Sequence, residues 1–384
     1  MRETIKRAAG ILFVWMALFI FSGTAIAAEI NIGFSGPLTG PAAYIGIDSV
    51  HGALIAAKEI NDAGGVVVAG TKYTVKIHQY DDEGNAAKAV AGLQRLKDRY
   101  NVPVVIQSIS AAIMGAMEKN EKMNVILTGF FKLNAATQRG NKLILRHQQP
   151  SSEDAKALAQ GTVRVLAPKT YAMISDVGDY GKNSVEVYKE TFEKLGVKLV
   201  ANEWLDMRTQ TDFRGQLTKI KAANPDVIML SAYDEASAGV IKQAHELGIK
   251  TPFAVSSGFQ AMGEKLTGPT LIEGYLKLIE PYDQIPPRPA LVNYKTNLYP
   301  AMGYKEPAGP YGLNIYQVVH LMVMAMQKAG TTTDAWKIRE AAPKMFPIPE
   351  KITTFGIKGW KEDGDGIIDN KIGRYQGGKL VEVK

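Results

Sequence analysis

Five histidines, His51, His78, His147, His245 and His320, are the side chains best suited to metal or acid–base chemistry in this sequence. None is spaced as H-x-x-x-H or H-E-x-x-H, the patterns that put two imidazoles on one helix face for zinc. They read as core or surface histidines. Ser35-Gly36 and Ser257-Gly258 offer hydroxyls in loops, but no G-x-S-x-G elbow is present and no base stands out beside either serine. The chain has no cysteine, which excludes thiol nucleophiles, thiolate metal sites, disulfides and a lipid carried on cysteine. The acidic run Asp363-Gly364-Asp365-Gly366-Ile367-Ile368-Asp369 looks like part of a calcium loop. Set on the EF-hand spacing, however, position one falls on Lys361 and position twelve on Ile372. A glycine-rich turn between strands is the better reading. These residues point away from an enzyme, a metal or a cofactor.

One glycine loop reads differently. Gly36-Pro37-Leu38-Thr39-Gly40 follows a first apolar strand and precedes a helix. It matches neither the Walker pattern nor G-x-G-x-x-G. Its place, at the carboxyl edge of a strand, is where open α/β sheets bind small molecules.

The elements that must position such loops alternate along the chain. Residues 29–34 read as a short apolar strand, and Ile47, Val50, Leu54 and Ala57 recur at helical spacing until Gly64-Gly65. Strands are expected around 73–77, 104–107, 125–128 and 143–145, with a helix over 85–99. After Pro150 the pattern restarts, with strands at 170–175, 197–205, 226–231 and 251–255. Helices are expected over 152–166, 179–195, 211–223 and 234–247. Strand–helix alternation implies βαβ units and doubly wound parallel sheets, here two in succession. Beyond residue 280 the alternation stops at Pro281, Pro286, Pro287 and Pro289; helices over 288–302 and 312–329 and a glycine-rich tail follow.

The amino terminus stands apart from this pattern. Arg2, Lys6 and Arg7 precede the nearly all-apolar stretch 8–21, and Ala25-Ile26-Ala27 follows as a small-residue cleavage site. That is the plan of a secretory signal peptide over 1–28; 14 apolar residues fall short of the ~20 a spanning helix needs. Loss of 1–28, with three basic and one acidic side chain, lowers the formal charge from +7 to +5. The remaining charge is scattered, so nucleic acid is not an expected partner. A periplasmic, monomeric, two-domain protein is expected.

Several stretches carry a family resemblance. Ile30-Asn31-Ile32-Gly33-Phe34-Ser35-Gly36-Pro37-Leu38-Thr39-Gly40 resembles the opening of the branched-chain amino-acid binding proteins of ABC transporters. The segment 53–65 (ALIAAKEINDAGG), Tyr80-Asp81-Asp82, Leu143-Ile144-Leu145-Arg146, Asp179-Tyr180-Gly181, Gln243-Ala244 with Leu247-Gly248, and Pro281-Tyr282-Asp283-Gln284-Ile285-Pro286 are similar to later family markers in the same order. The resemblance implies two Rossmann-like lobes joined by three crossings, near 147–151, 279–283 and 349–354. Lobe one would be 29–148 with 282–350, and lobe two 149–281 with 351–384. A small-molecule ligand would lie between them and be delivered to an inner-membrane permease. The rivals are a ligand-sensing receptor domain of the same fold and a secreted α/β enzyme lacking any visible acid–base set.

The resemblance also implies a set of pocket positions. The loop that takes a ligand carboxylate becomes Ser110-Ala111-Ala112, with the hydroxyl at Ser110 and Ala111 at the expected serine position. Tyr180 and Tyr233 would line lobe two, Tyr311 would cover the ligand, and Tyr44 would flank it. Two departures stand out. Phe130-Phe131-Lys132 replaces small residues and a threonine, and Ser257 replaces the acid that holds the ligand ammonium. Together they imply an anionic ligand with an apolar or aromatic body, its carboxylate on Lys132. Branched-chain amino-acid or amide binding is the alternative.

Overall fold

The computed structural model describes residues 28–284 and 286–383; the proposed signal peptide lies outside them apart from Ala28. Two sheets organise the chain. The first contains β1 (Ala28–Gly36), β2 (Val66–Val68), β3 (Thr71–Asp81), β4 (Val104–Gln107), β5 (Ile126–Gly129) and β6 (Ile144–Arg146), in the order β2-β3-β1-β4-β5-β6. All neighbours are parallel except β2 on β3. The second contains β7 (Thr170–Asp176), β8 (Lys198–Leu205), β9 (Val227–Ser231), β10 (Phe253–Val255) and β11 (Leu276–Ile279), closed by β14 (Lys371–Gln376) and β15 (Lys379–Val383). Its order is β15-β14-β11-β10-β9-β7-β8, with only β14 and β15 antiparallel. Chain direction across each sheet reverses once, between β1 and β4 and between β7 and β9. Ligands bind at such switch points, outside the carboxyl ends of the strands. The doubly wound architecture inferred from the alternation is therefore present twice.

Burial explains why these strands could be read. The residues of β4, β5 and β9 are all buried, as expected for strands covered on both faces. The returning helix Pro310–Ala329 is buried along most of its length and packs in lobe one with Ile30, Phe34 and Val104. It lies so close to the helix Ala43–Asp62 that a Cβ on Gly52 would sit 2.1 Å from the Gly312 carbonyl oxygen. Asp48 ties the same pair, accepting from Gly309 N–H (3.0 Å) and Gly312 N–H (2.8 Å).

The chain passes between the sheets three times. It leaves β6 at 147–150 for the helix Ser151–Leu166, whose Ala155 and Leu158 pack with Tyr171, Met173 and Leu276 of lobe two. It returns at 280–288 from β11 to the helix Pro289–Asn293, and crosses again at 368–370 before β14. This last crossing corrects the boundary expected at 350/351. Ile357 and Trp360 are buried in the core of lobe one, and the small hairpin β12 (Gly359–Trp360) and β13 (Gly366–Ile367) clamps the edge of β6. Arg146 N–H donates to the Gly364 carbonyl (2.8 Å), Trp360 Nε1–H to the Arg146 carbonyl (2.9 Å) and Gly366 N–H to the Gln148 carbonyl (3.1 Å). The acidic turn that resembled a calcium loop serves the same contact, because Asp365 lies 2.9 Å from the fully buried Arg146 guanidinium.

The helix expected over 288–302 is broken: a π-helical turn, Tyr294–Leu298, separates Pro289–Asn293 from Tyr299–Ala301. Among the described residues no helix is long and apolar enough to cross a membrane.

Candidate functional site

The candidate residues fall at the carboxyl ends of the strands. On lobe one, Asp81 fixes the loop after β1, accepting from Leu38 N–H (2.9 Å) and the Thr39 hydroxyl (2.6 Å). Tyr44 then occupies the first turn of the next helix with its ring 66% exposed. Ser110 and Ala111 open the short helix Ser110–Ala116 after β4. Gly129 ends β5 with φ +136°, and a Cβ there would lie 2.0 Å from the Gln107 carbonyl oxygen. Only glycine allows this approach; it lets Phe130 N–H reach that same carbonyl at 3.2 Å and swings the Phe130 ring out. Phe130 packs edge-on against Tyr311 (4.8 Å between centroids) and Phe355 (6.1 Å), and Tyr44 lies 6.4 Å from Tyr311. Tyr311 sits in the first turn of the helix anchored by Asp48.

On lobe two, Tyr180 lies in the first turn of the helix Asp179–Lys194 after β7, and Tyr233 caps the helix Asp234–Glu246 after β9. Their rings are 5.1 Å apart. The Tyr180 phenolic oxygen accepts from Gly258 N–H at 3.0 Å, so the loop after β10 that carries buried Ser257 is held against it. Tyr233 remains 52% exposed. Partial burial pushes its phenol up to about 12, with Tyr180 adding to the rise and Lys132 opposing it. Rings from both lobes therefore border one cleft.

Two expectations are corrected. Phe131 does not face the cleft: it is 2% exposed and packs among Leu93, Val105 and Ile113 on the other side of the sheet, with the Arg146 guanidinium 5.4 Å from its ring centroid. Consecutive residues leaving a strand point to opposite faces, so Phe130 and Phe131 could not both line the cleft. Lys132 is at the cleft but is not a free cation. Its Nζ lies 2.7 Å from Asp154 Oδ2 and 3.4 Å from Glu280 Oε1, and both acids are buried. Burial alone would lower the ammonium's pKa, but Asp154 and then Glu280 outweigh it and the net shift is upward. Burial in turn raises the Glu280 carboxyl, against the pull of Lys132. The acid missing at Ser257 thus has counterparts elsewhere, and they are already paired.

Asp154, Glu280 and the crossing residues Gln148 and Gln149 were not singled out from sequence, and His147 was read only as a core or surface histidine. Asp154 lies 22 residues and Glu280 148 residues from Lys132, and only the fold brings them together. His147 is fully buried, and burial pushes its imidazole down to about 3, so it is neutral. Among the described residues no group of three or more His, Asp or Glu side chains is placed to hold a metal ion.

Comparison with known proteins agrees with this architecture. A family model described as periplasmic binding protein matches residues 29–374. A Leu/Ile/Val-binding protein, BraC3, of Rhizobium johnstonii is 26% identical over 93% of this chain and 94% of its own. An amino acid binding protein of Pseudomonas aeruginosa is 28% identical over 93% and 92%. Among solved structures, the branched-chain amino acid transporter substrate binding protein of Streptococcus pneumoniae, in complex with isoleucine, superposes with a TM-score of 0.75 at 21% identity, covering 93% of this chain and 99% of that one. A solute binding protein of an ABC transporter from R. palustris, in complex with benzoate, gives 0.68 at 15% identity, covering 93% and 96%. The twin sheets, the cleft between them and the family match over nearly the whole described chain make this protein a type I periplasmic binding protein of the branched-chain amino-acid-binding family.

Proposed function

We propose that this solute-binding protein takes up a small organic carboxylate with an aromatic or longer alkyl body and presents it to an inner-membrane ABC permease. The observation that carries this reading is the state of the acids at the cleft: Asp154 and Glu280 are both spent on Lys132. A ligand ammonium entering there would lose its water without gaining a free carboxylate, which is costly. The ligand body would lie against Tyr44, Phe130 and Tyr311 on one side and Tyr180 and Tyr233 on the other. Its carboxylate would be taken by the Ser110 hydroxyl and the first N–H groups of Ser110–Ala116, not by Lys132. The benzoate complex on the same fold is consistent with an aryl carboxylate fitting such a cleft. The names of the relatives favour a branched-chain amino acid as the competing ligand. Closure of the lobes over the ligand follows the hinge motion of periplasmic binding proteins.

Calorimetry with benzoate, longer alkyl carboxylates and leucine separates the two readings. A carboxylate that binds at least tenfold tighter than leucine supports the proposal. Leucine binding at micromolar level or tighter, with no carboxylate binding, refutes it.

A further inference from the structure

The three charged groups near the crossings come from separate parts of the fold. Lys132 follows β5 on lobe one. Asp154 lies in the first turn of the helix Ser151–Leu166, and Glu280 follows β11, both on lobe two. Yet both carboxylates converge on one Nζ, at 2.7 and 3.4 Å. Two acids buried side by side cannot both stay ionised without a cation between them. The rest of the site is also built to hold Asp154: Gln149 Nε2–H donates to its Oδ1 at 2.5 Å and also to Asn370 Oδ1. A second feature points to an occupant. Gln148 lines the same cavity as Lys132, Asp154 and Glu280. Its side chain is 2% exposed, and neither its amide nitrogen nor its oxygen has a hydrogen-bond partner. A buried amide with donor and acceptor both free is rare and costly; it offers a polar contact to whatever fills the space.

We infer that Asp154 and Glu280 form an ammonium subsite in the floor of the interlobe cleft, which this chain fills with its own Lys132. Lys132 is then a specificity-determining residue: it acts as a tethered alkylammonium, and a solute carrying an amine finds its place taken. Only this consequence for ligand choice rests on the cleft being the binding site. The subsite itself stands on the geometry of the three charges and Gln148.

The piece of Lys132 beyond Cβ is three carbons and an ammonium, so Lys132→Ala leaves a space shaped for n-propylammonium. Thermal unfolding titrated with n-propylammonium chloride, against sodium chloride at equal ionic strength, tests the assignment. Lys132→Ala is expected to show a saturable rise in Tm with an apparent affinity about ten- to a hundredfold better than the wild type, the worth of a hydrogen bond to a charged group. Should Lys132→Ala fail to fold, Lys132→Ala/Glu280→Gln removes the repulsion between the acids and keeps Asp154 as acceptor; the same difference from the wild type is expected. Adding Asp154→Asn to that pair must abolish the response. Equal responses in wild type and variants, no response in either variant, or a response that survives loss of both acids overturns the inference. The readout involves no carboxylate ligand, so it is independent of the proposed function.

Discussion

The Tyr233 ring gives the most direct measure of the aromatic cleft. It is 52% exposed and lies 5.1 Å from Tyr180. Because an aromatic side chain buries roughly 150–250 Å², about 100 Å² of Tyr233 is left for a ligand to cover. At about 25 cal/mol per Å² this amounts to ~2.5 kcal/mol, and incomplete coverage brings the expected loss in Tyr233→Ala to about 2 kcal/mol. That is roughly thirtyfold in Kd. Tyr233→Phe keeps the ring and should stay within about twofold if the hydroxyl makes no ligand contact. The fold should tolerate both changes, because substitutions at half-exposed positions away from the core usually cost little. Calorimetric titration of a bound aryl carboxylate, with Tm recorded for each variant, provides the assay. A Tyr233→Ala protein with wild-type Tm and wild-type Kd would show that the ligand does not lie against lobe two here, and the cleft assignment would have to be redrawn.

Two further outcomes follow from the same structure. The exposed rings of Tyr44 and Tyr233 leave surface for closure to cover, so small-angle scattering should show a smaller radius of gyration at ligand saturation; an unchanged radius contradicts closure for that ligand. His147 titrates at about 3 in the folded chain against an ordinary 6.5, so below about pH 6.5 the unfolded state binds a proton that the folded state refuses. Stability therefore falls as the pH drops through that window, by about 2 kcal/mol at about pH 5. Urea denaturation of wild type and His147→Gln at about pH 7.5 and pH 5 should show the gap between them shrinking by that amount; a constant gap contradicts it.

What could be read from sequence and what could not divide along physical lines. β4 and β5 were legible because short runs led by apolar residues between turns, VVIQ and ILTG, suit a strand buried on both faces. β11 was missed because its sequence, LKLI, carries Lys277 in the middle. That lysine is 1% exposed in the fold, paired with Glu264 at 2.8 Å, and no local pattern announces a distant partner. The helix Ser110–Ala116 was missed because it is short and its N-cap, Ile109, supplies no capping side chain. The third crossing was misplaced because the hairpin Gly359–Trp360 with Gly366–Ile367 reads like lobe-two sheet, while Trp360 belongs to the lobe-one core. At the site, Tyr44, Tyr180, Tyr233 and Tyr311 were named from the family resemblance and not from local pattern; the fold sets each at the start of a helix. The role of Lys132 was misread because charge neutralisation is a property of the fold, not of the residue.

The position of the charged cluster also bears on how a ligand can drive closure. Lys132 belongs to lobe one, and both its partners lie within a few residues of a crossing: Asp154 just beyond 147–150 and Glu280 at the start of 280–288. Groups near a hinge axis move little when the lobes rotate, so these ion pairs can persist in both open and closed forms. Contacts that are equal in two states shift nothing between them. The free energy that selects the closed form must then come from groups farther from the crossings that gain contacts only on closing. Tyr44 and Tyr233, on opposite lobes and more than half exposed, meet that condition, while Lys132 does not. On the readings proposed above, the buried charges would decide which ligands are rejected, and the exposed rings would convert binding into motion. On this argument Tyr233→Ala should weaken closure as well as affinity.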